Sequence, residues 1–157
     1  MSGVKTALEA RSRPHPSPDL RAALARFDAR VGEPRSYGVN DCCVAVADLL
    51  LAAHGRDPMA RFRNRYRTAR GYLRVMRKEG CKTIEHALGR AAADAGFEAC
   101  DPDDPAGPAD FDMGAIIIEH DGDALILPAF FHSGYWHAMT PDGSTARREA
   151  VRAWRSR

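Results

Sequence analysis

Residues 40–51, Asn-Asp-Cys-Cys-Val-Ala-Val-Ala-Asp-Leu-Leu-Leu, constrain the fold more than any other stretch, because they place a cysteine at the start of a helix that must be buried. Asn40 and Asp41 are both good N-caps, and the run of Val, Ala and Leu behind them is broken only by Asp48. A helix apolar almost all round belongs in a core. Cys42 then falls in the first turn, where unpaired backbone N–H groups and the positive end of the helix dipole favour a thiolate. That is the setting of a nucleophile. The plainer reading is a capped core helix with two small buried cysteines, since free Cys is among the most buried residue types. Cys43 points roughly 100° away round the helix and is assigned to the core.

The rest of the chain is read around that helix. A length of 157 residues with 45% hydrophobic content supports one domain with a core of its own. Residues 1–17, with Arg11, Arg13, Pro14, His15 and Pro16, read as a flexible arm, and 18–157 as the single domain. Ser17-Pro18-Asp19 opens a helix through Leu20, Leu24, Phe27 and Val31. A loop carrying Tyr37 and Gly38 leads into the cysteine helix, which ends at His54-Gly55. Asp57-Pro58 is expected to start a short helix. Another spans Thr68 to Glu79, with Ala69, Tyr72, Leu73 and Met76 inward and Arg70, Arg74, Arg77 and Lys78 outward. Thr83 opens the next, ending at Gly96, and 98–112 reads as loop. Strand signals follow at Gly114 to Glu119, Ala124 to Phe131 and Tyr135 to Met139, with Val151 and Trp154 as a last apolar anchor. Helices first and an antiparallel meander afterwards is an α+β order, with the cysteine helix packed across the sheet.

Composition removes several function classes. No stretch approaches the ~18 to 20 apolar residues of a membrane span, and the N-terminus lacks a signal peptide's apolar centre, so a soluble, unexported chain is expected. The cysteines at 42, 43, 81 and 100 form no C-x-x-C pair, which argues against zinc and for reduced thiols in a cytoplasm. The net charge of +2 names no partner. Arginines 61, 63, 65, 67, 70, 74 and 77 interleave with Phe62, Tyr66 and Tyr72, a mixture that suits nucleic acid. On the helix, however, the cations gather on the outward side, as a solvated face would, and nucleic acid is not the expected partner.

One resemblance joins these pieces. Tyr37-Gly38-Val39-Asn40-Asp41-Cys42, Gly55-Arg56-Asp57-Pro58, Arg63 to Tyr66 with Thr68, and Ala153-Trp154-Arg155 resemble the papain-like, NlpC-type cell-wall peptidases. They resemble more closely a small phage and prophage family related to these, often encoded among tail genes. The likeness covers about residues 18 to 155. It implies a papain-like (NlpC-type) α+β fold with Cys42 at the nucleophile position. In that pattern a catalytic His opens the second core strand, and a polar residue twelve positions later, often in a His-Ala pair, orients it. His137-Ala138 fits the orienting place, but twelve positions back lies Leu125, which accepts no proton. His120 is the first candidate for a substitute base, because the hairpin turn returns it to the start of the second strand; the plainer reading is a solvated turn histidine. His132 lies at the opposite end of that strand.

The resemblance therefore implies a tail-associated protein that is a degenerate, non-catalytic structural or assembly component. The alternative is an active cysteine hydrolase cleaving a peptidoglycan peptide or related amide. In it Cys42 attacks the carbonyl, a His acts as base and N–H groups at the helix start hold the oxyanion. The partners implied are phage tail or tail-tip proteins, and peptidoglycan for the hydrolase, with no cofactor and no metal. The location implied is the bacterial host cytoplasm and then the virion tail.

Overall fold

A computed structural model describes residues 18–156; the arm assigned to 1–17 lies outside the described residues. Four helices come first: α1 (Pro18–Val31), α2 (Cys42–His54), α3 (Ala69–Lys78) and α4 (Ile84–Asp94). Six strands follow: β1 (Phe97–Cys100), β2 (Met113–His120), β3 (Asp123–His132), β4 (Tyr135–Met139), β5 (Ser144–Arg147) and β6 (Arg152–Ser156). They form one antiparallel sheet in the order β1-β6-β2-β3-β4-β5. The fold is α+β, as the order of signals predicts.

Local chemistry explains the helix ends. Asp41 caps α2 by accepting from the Val44 N–H, Thr68 caps α3 through Gly71, and Thr83 caps α4 through His86. Gly55 closes α2 in the left-handed conformation, φ 72°, with its N–H on the Leu51 carbonyl. The helix expected at Asp57-Pro58 does not form. There the Asp57 carboxylate accepts from Met59 N and binds Arg63, so a side-chain-tied turn replaces a helical one. In α3 the inward residues are Tyr72, Val75 and Met76, whereas Leu73 is 43% exposed. The expected inward stripe was placed too far round the helix.

Three strands lay outside the expected meander: β5, which extends it past the Pro141-Asp142-Gly143 turn, and β1 and β6. β1 falls in the stretch read as loop, and β6 contains the residue read as a lone anchor, Trp154. β1 buries only Phe97 fully and pairs with β6 through Phe97↔Ser156 to Cys100↔Ala153. Its partner is more than fifty residues away in the chain, so no short-range pattern announces the pair.

Helices and sheet enclose one main core. Val46, Leu49 and Leu50 of α2 pack with Leu88, Met113, Phe130, Met139 and Trp154, and Phe27 of α1 meets Phe130 edge-on at 5.0 Å. Side chains alternate across strands, so the opposite face gathers Ile116, Leu127, Ala129, Phe131, Trp136 and Ala138. Trp136 fits there only because residue 114 is glycine: a Cβ at Gly114 would stand 2.5 Å from its ring. A further cluster holds Val44, Ala47, Met59, Phe62, Tyr66, Val75, Met76 and Cys81, and fastens α3 and the 59–66 turn to the other side of α2.

Candidate functional site

The loop before α2 is built to present the helix start. Gly38 has φ 79°, and a Cβ there would stand 2.3 Å from the Tyr66 carbonyl oxygen, so only glycine fits. Asn40 donates through Nδ2 to the carbonyls of Arg30 and Pro34, both at 3.1 Å. Asp41, 9% exposed, accepts three hydrogen bonds: from Val44 N at 2.8 Å, Gly38 N at 2.7 Å and the Tyr66 hydroxyl at 2.7 Å. Charge pairs brace the same region. Asp48 of α2 binds Arg30 and Arg63, and Arg63 also binds Asp57 at 2.6 Å.

Two sets of contacts orient α2 on the sheet. Arg35 donates to the carbonyls of Thr140 at 2.9 Å and Gly143 at 2.8 Å, which ties the helix start to the exit of β4. At the other end His54 Nε2 donates to the Phe111 carbonyl at 2.8 Å, and Phe111 N–H reaches the Phe131 carbonyl at the exit of β3. The helix start therefore lies by the exit of β4. Cys42, half-buried, packs against the hydrophobic clusters on both faces of the sheet.

The histidines have other hydrogen-bond or charge partners. His137 lies opposite Phe130, stacks on it at 5.3 Å, and donates from Nε2 to the His132 carbonyl at 3.0 Å. Because the β3–β4 turn falls at Ser133-Gly134, a spacing of twelve does not bring His137 beside Leu125. The two sit five residues apart along the ladder, roughly 17 Å. His120 closes the β2–β3 hairpin opposite Asp123, and its Nε2 is 3.3 Å from the exposed Asp121 carboxylate. His132 stacks on Phe111 at 5.3 Å, 3.7 Å from Asp110. Among the described residues no imidazole hydrogen-bonds to Cys42, and no group of three His, Cys, Asp or Glu side chains is placed to hold a metal ion.

The groups nearest Cys43 are the Cys42 thiol and two phenols, with the Asp41 carboxylate beside them. A hydrogen bond with the Cys42 thiol, and then burial, push the Cys43 thiol well above its ordinary value. The Tyr72 hydroxyl is 4.0 Å from the Cys43 sulfur. Burial, reinforced by Cys43 and Asp41, also raises the Tyr66 and Tyr72 phenols, so both remain protonated. Their rings meet edge-on at 5.0 Å. This shell can cap, pack and donate hydrogen bonds, but it offers no proton acceptor of neutral-pH strength to a thiol. Tyr72 points inward as its helix position predicts, but neither tyrosine was expected beside the cysteines. Tyr66, at the end of the Arg63–Tyr66 segment that carries the family likeness, was the usable signal.

Residues 15–156 match the family described as Domain of unknown function (DUF6950), and the chain belongs to that family. No curated protein and no solved structure matches it. Among the described residues no helix is long and apolar enough to cross a membrane.

Proposed function

We propose that this member of the DUF6950 family is a degenerate, NlpC-like module on a papain-like plan, a non-catalytic structural or assembly component of a phage or prophage tail. One observation carries the reading: among the described residues no imidazole hydrogen-bonds to Cys42, whose surroundings are the apolar clusters on the two faces of the sheet. A cysteine nucleophile needs a base or cation at hydrogen-bond distance, and an aliphatic side chain supplies neither. Supporting it, the residues that carry the family likeness have structural employment. Gly38 allows the close approach to Tyr66, Asp41 caps α2, Gly55 ends it, Asp57 holds Arg63, Thr68 caps α3 and Trp154 fills the core.

The test is iodoacetamide labelling of the full chain against pH, with each cysteine followed by peptide mass mapping, alongside incubation with purified peptidoglycan. Cys42 should label slowly near pH 6, peptidoglycan should release no peptide fragments, and His120→Ala should change neither result. Fast labelling of Cys42 near pH 6 that disappears in His120→Ala would show a rewired dyad and make the hydrolase the better reading.

A further inference from the structure

The outward face of α3 carries charge that the molecule does not use. Arg70, Leu73, Arg74, Arg77 and Lys78 are all exposed, and at 100° per residue they fill one arc of about 140°. The arginines just upstream are different. Arg61 binds Asp94 at 2.8 Å and Glu79 at 2.9 Å, Arg65 binds Glu79 at 2.5 Å, and Arg63 binds Asp48 and Asp57. Glu79, the acid closest in sequence to the α3 cations, is thus already occupied. No carboxylate among the described residues pairs with Arg70, Arg74, Arg77 or Lys78. Like charges at the i, i+4 positions 70/74 and 74/78 repel, so the face holds its charge at a cost.

Its makeup selects among polyanions. Phe62 and Tyr66 are buried and Tyr72 points its hydroxyl at Cys43, so no aromatic ring is offered to a base, and single-stranded nucleic acid loses its stacking energy. The apolar arc of α3 is spent on the core through Val75 and Met76, which leaves too little to insert into a lipid surface. Leu73, 43% exposed at the margin of the cationic arc, is an apolar anchor that a protein side chain can cover and a phosphate backbone cannot.

We propose that the outward face of α3 docks an acidic segment of a partner protein, with Arg70, Arg74, Arg77 and Lys78 facing its carboxylates and Leu73 covered by an apolar residue. The arc is about 12 Å long, two helical turns, which matches a short acidic helix. This inference is independent of whether Cys42 is reactive.

The experiment uses the full chain and fluorescence anisotropy at about 150 mM salt. The probes are a short labelled peptide of repeated Glu-Glu-Leu-Glu, its counterpart with Gln for Glu, an oligo-dT, a DNA duplex and phosphatidylglycerol vesicles. The acidic peptide should bind at least about tenfold more tightly than the Gln peptide, with affinity falling as salt rises. Arg74→Glu with Arg77→Glu should weaken it about tenfold or more, while Arg21→Glu on the exposed side of α1 should not. Leu73→Ala should weaken it about three- to tenfold without altering the salt slope. All these positions are exposed, and circular dichroism checks that the variants stay folded. Tighter binding of either nucleic acid or of vesicles would overturn the proposal, as would failure of the acidic peptide to bind or indifference to Leu73→Ala.

Discussion

Replacing Asp41 with Ala removes an acceptor that three donors share, and the cost can be built up from each. Loss of the N-cap bond to Val44 N costs about 1 kcal/mol, within a usual range of about 0.5 to 2. The Tyr66 hydroxyl, in a residue only 4% exposed, is stranded, which costs a further ~1 to 3 kcal/mol. The Gly38 N–H is half-buried and can turn to water, so it adds little. The sum is about 2 to 5 kcal/mol, a large share of the ~5 to 15 kcal/mol of an ordinary domain. With a urea slope of about 2 kcal/mol per molar, the unfolding midpoint should fall by roughly 1 to 2.5 M at unchanged slope. Asp41→Asn keeps the cap acceptor and should cost about 1 kcal/mol. Tyr66→Phe alone should cost ~0.5 to 1.5 kcal/mol. The double variant Asp41→Ala, Tyr66→Phe should then be more stable than the sum of the singles predicts, because no hydroxyl is left stranded. A midpoint shift below about 0.3 M for Asp41→Ala, or additive singles, would refute the view that Asp41 organises the helix start.

Gly114→Ala drives a methyl group to 2.5 Å from the buried Trp136 ring, so sheet and ring must separate; a loss of about 1 to 3 kcal/mol or more is expected, read as a lowered thermal midpoint. The Glu79 carboxyl is held below its ordinary value of 4.5 by its bonds from Arg65 and Arg61. Its stabilising contribution is therefore present above pH 4.5 and lost as pH falls through the lower folded value, so Glu79→Gln should flatten the fall in thermal midpoint over that acid window.

Much of the scaffold was legible without coordinates. The spans and ends of α2 and α4, the cap residues Asp41, Thr68 and Thr83, the C-terminal Gly55, the three meander strands and the outward cations of α3 were all readable. Where reading failed, a side chain had found a competing partner. Asp57 bound Arg63 and Met59 N instead of starting a helix, and α3 buried Val75 in place of Leu73.

The division has one physical cause. Helix ends and strand alternation are decided by contacts within about four residues, so the start of α2 could be read to within a residue, with Cys42 in its first turn. Three other features depend on partners far along the chain: the β1–β6 pair, the register that sets His137 against Phe130, and the tie from Arg35 to the β4 exit. Only tertiary packing chose these. They bring the β4 exit to the helix start and hold His137 on Phe130, so the surroundings of the cysteine were a property of the fold and not of its motif.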